Sequence, residues 1–318
     1  MKIVYLGTPE IAVPSLEYFI MKDDVDVQAV ITQPDKPAGR GHKVVPPPVK
    51  IMAETKAIPV FQPKLIRKDE ALINHLKELK PDAFIMVAFG QILSKELLDI
   101  PRLGTINLHS SLLPKYRGPN PIQWAIINGD KVTGITTMLS DVGVDTGPML
   151  LKKEIEIPEN MDTCELSDIM AHIGPEMLYQ SMIGLENGTI TPVPQNDTEA
   201  TYAPKLSKED GKINWSESAE TIHNKVRGMK PWPSTCTSFK EVVIKIIETQ
   251  FDKENKEKVN PEDFGKIVGI INSGIGVITG NGTVIIKKLQ PAGKKAIDAA
   301  CWYNGARIQK GDKFDGQL

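Results

Sequence analysis

The sequence predicts an α/β fold: a mostly parallel sheet covered by helices, followed by a smaller β-rich domain. Three observations support that expectation. Strand-like apolar runs at Lys2–Leu6, Val25–Thr32, Ala83–Ala88 and Thr105–His109 alternate with helix-like stretches, the pattern of βαβ units. A polar, proline-bearing stretch over 191–206 reads as a linker. Beyond it, short strand-like runs at Glu241–Thr249, Lys266–Ile271, Gly274–Ile278 and Thr283–Leu289 follow closely, with a hairpin turn at Gly280-Asn281-Gly282. The chain has 318 residues. At roughly 150 residues per domain that suits two, here 1–190 and 207–318 around the linker 191–206.

Each element has its own reason. Lys2–Leu6 ends at Gly7, and Pro9 suits the first turn of a helix reaching about Met21. The turn Gly7-Thr8-Pro9 lacks the further glycines of a pyrophosphate-binding loop, and Pro9 removes an N–H donor, which argues against a nicotinamide cofactor. Ala83–Ala88 is wholly apolar, as a central parallel strand requires. Glu217–Met229 reads as a helix of the second domain. Residues Gln33–Lys50 read as a long loop rich in proline, with Lys36, Arg40, Lys43 and Lys50 against Asp35 alone. It is either a mobile excursion or a segment that closes over a polyanion.

Net charge is −2, so bulk charge does not hold this chain on nucleic acid. From Gly265 onward, however, eight basic residues face three acidic ones. Cys164, Cys236 and Cys301 have no metal or disulfide spacing, as expected in a reducing cytoplasm. No apolar run approaches the ~18 residues needed to span a bilayer, and the amino terminus has no signal-peptide shape. His75 is expected on a helix facing solvent, and no metal site is expected.

The chemistry concentrates in Thr105–Ile122. Asn107 and His109 lie at i and i+2 on a strand end, ~7 Å apart on one face. An amide donor beside an imidazole can hold an oxyanion and move protons; the same pair also suits a hydrogen-bonded strand terminus. Leu112, Leu113 and Pro114 could wall an apolar slot. Asp145, in Asp141-Val142-Gly143-Val144-Asp145-Thr146-Gly147, is either a turn residue or the carboxylate that orients His109. Ser110 and Ser111 lack a nucleophile elbow, so direct transfer between bound partners is favoured over an acyl-enzyme.

Asn107–Gly118 (N-L-H-S-S-L-L-P-K-Y-R-G) followed by D-V-G-V-D-T-G closely resembles the folate-dependent formyltransferases. The wider set of I-V-Y-L-G-T-P-E, T-Q-P-D-K-P-A-G-R-G, V-P-P-P-V-K, V-A-F-G-Q-I-L, Y-A-P-K-L-S-K-E and L-Q-P-A-G-K-K resembles their tRNA-directed branch, in order along nearly the whole chain. The resemblance implies a Rossmann-like formyltransferase domain and a small OB-like β-barrel domain. It implies a cytoplasmic enzyme of translation initiation that moves the formyl group of 10-formyltetrahydrofolate to the α-amine of initiator methionyl-tRNA, through a tetrahedral intermediate and without a metal. Asn107, His109 and Asp145 match the catalytic trio. Ser111, Leu112, Leu113 and Pro114, with Phe89, Gly90, Gln91, Ile92 and Leu93 and with Asp141, Val142, Gly143 and Val144, match the folate-binding stretches. The resemblance implies a tRNA-entering loop at Gln33–Lys50 with Arg40 at its centre, and the local charge adds Lys36 and Lys43 there and Lys287, Lys288, Lys294 and Lys295 in the second domain as expected tRNA contacts. The nearest alternative is a related formyltransferase acting on a sugar nucleotide or small amine.

Overall fold

A computed structural model describes residues 1–38, 43–252 and 260–315. Its strands are β1 (Lys2–Gly7), β2 (Asp26–Ile31), β3 (Lys36–Ala38), β4 (Lys43–Val45), β5 (Val60–Phe61), β6 (Ala83–Val87), β7 (Thr105–His109), β8 (Val132–Leu139) and β9 (Met149–Glu156), then β10 (Thr235–Phe239), β11 (Val242–Phe251), β12 (Ile267–Ile271), β13 (Gly274–Ile278), β14 (Thr283–Pro291) and β15 (Ile297–Asp298). The helices are α1 (Val13–Ile20), α2 (Pro48–Thr55), α3 (Glu70–Leu79), α4 (Lys95–Leu98), α5 (Pro121–Ile127), α6 (Thr163–Glu186), α7 (Ala219–Gly228) and α8 (Ala299–Gly305). Two compact units result. One holds Met1–Pro121, Val132–Glu156 and Ser167–Ala203; the other holds Ile122–Lys131, Ile157–Leu166 and Pro204–Leu318.

The first unit is built on a seven-stranded sheet ordered β5-β2-β1-β6-β7-β8-β9. Pairings from β5 to β7 are parallel, while β7–β8 and β8–β9 are antiparallel. The expectation of a mostly parallel α/β sheet therefore holds, with an antiparallel edge added. Ile3, Val4, Tyr5 and Leu6 are fully buried because β1 is central and covered on both faces. On one side Leu72, Ile73 and Leu76 of α3 close over Val4, Leu6, Ile31 and Phe84. Asp69 caps α3 by accepting from the Leu72 N–H at 3.1 Å, and Lys80 ends it in a left-handed conformation.

Three expectations change. The described part of 33–50 is not a bare loop: β3 and β4 pair antiparallel, and α2 begins at Pro48, since a proline is well placed in a first helical turn. The helix expected from Pro9 opens instead as a 3-10 turn at Glu10–Ala12, with α1 starting at Val13. His75 is half-buried rather than solvent-facing, its ring 5.3 Å from that of Phe61.

The second unit is an antiparallel sheet ordered β10-β11-β14-β13-β12, with β15 added to β14. Its two edges are joined. Asp315 bridges to Ser238 of β10, and Lys313 bridges to Lys266 just ahead of β12. The sheet thereby closes into a small barrel and leaves few unpaired edges. Phe314, fully buried between those bridges, packs on Trp215, Phe239 and Trp302.

His223 of α7 is buried in this unit. Its Nδ1 lies 3.0 Å from the Thr249 hydroxyl and its Nε2 lies 3.2 Å from the Glu159 carbonyl. A neutral ring satisfies both contacts, donating from Nε2 and accepting at Nδ1. Burial above all, aided by the Arg227 charge, holds its pKa below the usual histidine value. A lowered folded pKa means that the unfolded chain binds the extra proton first. Stability from this group is complete above about pH 6.5 and is lost as pH falls through the folded value. Urea midpoints measured between pH 7.5 and 5.5 should fall for the parent chain and fall less for His223→Gln; equal slopes would contradict this.

Candidate active site

Strand β7 sets the geometry. Asn107 pairs in register with Met86 on β6 and with Met138 on β8. Directly paired residues share a face of a sheet. Met86 and Met138 both line a cleft with Gln91, Ile92, Leu93, Leu98, Ser140, Asp141, Gly143, Val144 and Asp145. Asn107 therefore faces that cleft, and His109, two residues on, shares its face. Leu108 points the other way, against α6, where a side-chain carbon on Gly174 would sit 2.3 Å from Leu108 Cδ2.

His109 is 5% exposed and lies between two acceptors. Its Nδ1 is 3.5 Å from Asp145 Oδ1, and its Nε2 is 2.9 Å from the Tyr116 carbonyl. A carbonyl can only accept, so Nε2 carries a hydrogen. The second nitrogen, Nδ1, faces a carboxylate oxygen. Asp145 Oδ2 accepts from the Gly118 N–H at 2.8 Å. Gly118 has φ 115°, and a Cβ there would lie 2.8 Å from the Ala203 carbonyl oxygen, so only glycine brings this N–H to the carboxylate without strain. His109 and Asp145 thus meet beside this cleft, with Asn107 on the same face of the sheet as His109.

The stretch 111–114 serves mainly to hold this corner. Ser111 and Leu113 are fully buried. The Ser111 hydroxyl donates to the Lys115 carbonyl at 2.5 Å. Thr136 Oγ1 accepts from the Leu113 N–H at 3.1 Å and donates to the Ser111 carbonyl at 2.7 Å. Leu112 packs against Gly134, and Pro114 is buried. Neither these four nor Asn107 and His109 are among the residues lining the cleft.

The 89–93 stretch divides. Phe89 is 2% exposed in the core, and its carbonyl accepts from Thr8 Oγ1 and Gln33 Nε2. Gly90 lies beside the Gln33 side chain. Gln91 lines the cleft, yet its side-chain amide is engaged elsewhere, with the Ile66 N–H and the Pro63 carbonyl. Ile92 is exposed and Leu93 is buried, both along the cleft. In 141–144, Asp141 Oδ1 accepts from the Gly143 N–H and the Thr146 hydroxyl, which folds the turn on itself. Val144 lines the cleft, and Val142 is exposed away from it.

The basic residues fall into two sets, one in each unit. Lys36 is exposed and reaches Gln33; Lys43 lies on β4; Arg40 lies outside the described residues. The root of the β3–β4 pair is tied by Asp35, which accepts from Lys50 at 2.9 Å and from Gln62 at 2.7 Å. In the second unit, Lys294 and Lys295 are exposed together beyond β14. Lys287 and Lys288 are consecutive on β14 at a break in register with β11, where the core-facing positions pass from Ile286 to Leu289, so both lysines lie on the outer side. Lys287 reaches the Asn272 carbonyl and Lys288 lies 3.8 Å from Glu248.

Sequence reasoning missed Gly118, Thr136, Arg117 and Gln195. Arg117 is 3% exposed, with Nε 3.0 Å from Gln195 Oε1 and Nη2 2.7 Å from Asp197. Its place in R-G-P was the one available signal; Gln195 had none, lying in a stretch that reads as a linker. Among the described residues no group of His, Cys, Asp or Glu is arranged to hold a metal, and no helix is long and apolar enough to cross a membrane.

With this geometry in hand, comparison with known proteins identifies the lineage. Residues 1–182 match the formyl transferase model and residues 205–307 match the formyl transferase C-terminal domain model. The chain belongs to the formyl transferase family. A methionyl-tRNA formyltransferase of Clostridium perfringens is 49% identical over 311 residues, covering 98% of this chain and 99% of the relative. A methionyl-tRNA formyltransferase of Ruminiclostridium cellulolyticum is 46% identical over 315 residues, covering 99% of each. Among solved structures, an N-formyltransferase of Helicobacter canadensis in complex with folinic acid and dTDP-3-aminofucose has the same fold. It is 23% identical with a TM-score of 0.65, over 90% of this chain and 98% of that one.

Gly118→Ala forces a side chain into a left-handed conformation and against a carbonyl. Strain of this kind costs on the order of 1–3 kcal/mol. Chemical denaturation of the purified variant should show a matching loss; an unchanged midpoint would contradict the assigned role.

Proposed function

We propose that this chain transfers the formyl group of 10-formyltetrahydrofolate to the α-amine of methionine carried on initiator tRNA. The observation that carries this reading is the 49% identity with a methionyl-tRNA formyltransferase over 98% of the chain, both family regions included. The cleft agrees with the donor. Met86, Ile92, Leu93, Leu98 and Met138 offer apolar faces to a flat heteroaromatic ring, and Ser140 and Asp141 lie at its polar edge. When bound, the folate supplies an activated one-carbon unit at the oxidation level of formate.

The chain's own groups then have distinct tasks. Asn107 donates to the formyl oxygen as negative charge gathers there, and His109, on the same face, joins it by turning an N–H from its resting acceptor toward that oxygen. His109 is held by the Tyr116 carbonyl and by Asp145. Asp145 orients the ring, and the proton lost by the attacking amine passes through water to the folate nitrogen as the bond between that nitrogen and the formyl carbon breaks. No side chain need form a covalent bond with the formyl group. Folate residues on this reading are those of 89–93 and 141–144 that line the cleft, with 111–114 supporting it from behind. Lys36, Arg40 and Lys43 would meet the tRNA backbone, as would Lys287, Lys288, Lys294 and Lys295.

The test is a transfer assay with formyl-labelled folate and charged initiator tRNA, run beside elongator Met-tRNA and an amino-sugar nucleotide. Label should pass to the initiator methionine. Asn107→Ala and His109→Ala should each slow turnover by about a hundredfold to a thousandfold, with folate affinity little changed. Formylation of the amino sugar in place of Met-tRNA would overturn the proposal.

A further inference from the structure

Asp145 stands at φ 55°, a left-handed conformation that a non-glycine residue keeps only where its surroundings hold it. The Gly118 N–H fixes the carboxylate, but the backbone of its turn is held from elsewhere. Gln195 Nε2 donates one hydrogen to the Asp145 carbonyl and the other to the Gly147 carbonyl, both at 2.8 Å. Its Oε1 accepts from Arg117 Nε at 3.0 Å, and Arg117 Nη2 donates to Asp197 at 2.7 Å. Two carbonyls on one side and a guanidinium on the other leave a single orientation for this amide, nitrogen toward the turn and oxygen toward Arg117.

The segment that carries Gln195 is itself pinned to both loops of the site. Met149 and Val193 exchange backbone hydrogen bonds at 2.8 Å. Arg117 N–H donates to the Thr201 carbonyl, and the Arg117 carbonyl accepts from Ala203. Residues 193–203 thus form a strap across the 114–118 and 145–149 loops. Within 116–118 each residue holds a different part: the Tyr116 carbonyl meets His109, the Arg117 side chain meets Gln195, and the Gly118 N–H meets Asp145. Arg117 is 3% exposed, whereas its partner Asp197 is 83% exposed. Burying a guanidinium against a solvated carboxylate is a poor way to gain stability. Its geometric yield is the fixed Gln195 amide.

We infer that Gln195, oriented by Arg117, is a positioning residue for the transfer reaction and acts through Asp145. This rests on the catalytic roles proposed above. Gln195→Glu separates positioning from packing. The new carboxylate still accepts from Arg117 but loses both hydrogens and turns an oxygen toward two carbonyls. With the full-length enzyme, kcat should fall roughly tenfold to a hundredfold, the scale of a small misplacement of a reacting group. KM for folate and for Met-tRNA should stay within about twofold, marking a loss confined to the transition state. In an Asp145→Asn background the same substitution should cost less than about twofold, because the group it positions is already gone. If Gln195→Glu melts below the assay temperature, Gln195→Ala is measured instead, with the same pattern expected. An unchanged kcat, a loss confined to KM, or the full loss repeated in the Asp145→Asn background would each overturn the inference. A parent enzyme that forms no formyl-Met-tRNA would instead overturn the proposed function.

Discussion

A buried imidazole between two acceptors is the constraint on which the rest of this site depends. His109 meets the Tyr116 carbonyl at one nitrogen and the Asp145 carboxylate at the other. Removing either acceptor leaves a buried polar group without its partner, which costs more than the missing contact alone. The fold therefore has to bring three chain segments, from β7, from the loop after it and from the turn between β8 and β9, to one place. The sheet does the first part: β6, β7 and β8 are neighbours, so the ends of β7 and β8 lie side by side.

The cleft follows from the same strand order. Met86, Asn107 and Met138 form one row across three strands, so two apolar side chains flank a single amide. That row suits a flat ligand read mostly by apolar faces and met by a polar group at one point. Leu108, between the two polar residues, anchors the strand against α6 and keeps its neighbours pointing into the cleft.

Much of this was legible in the sequence. The apolar runs of β1, β2, β6 and β7 marked a parallel core, and the i, i+2 spacing of Asn107 and His109 placed both on one face. The N-L-H and D-V-G-V-D-T-G segments, far apart in the chain, supplied the residues that the fold joins. Other parts were not legible for physical reasons. The antiparallel edge β8–β9 carries Thr133, Thr136, Lys152 and Lys153, a mixed pattern with no clean apolar run. Pro46, Pro47 and Pro48 read as loop, although Pro48 opens α2. Gln195 reaches the Asp145 turn across fifty residues by side-chain hydrogen bonds, and local spacing holds no trace of such a contact. Lysines read from charge, such as Lys287 and Lys288, take local partners in the Asn272 carbonyl and Glu248 that no sequence spacing announces.

The direct measurement of the central pair is a double-mutant cycle on His109 and Asp145 with formyl transfer to Met-tRNA as readout. If the carboxylate works through the imidazole, His109→Ala, Asp145→Ala and the double variant should all lose a similar factor in kcat, as residues acting as a unit do. Losses that multiply in the double variant would mean that the two side chains act separately, and would contradict the pairing at the centre of this site.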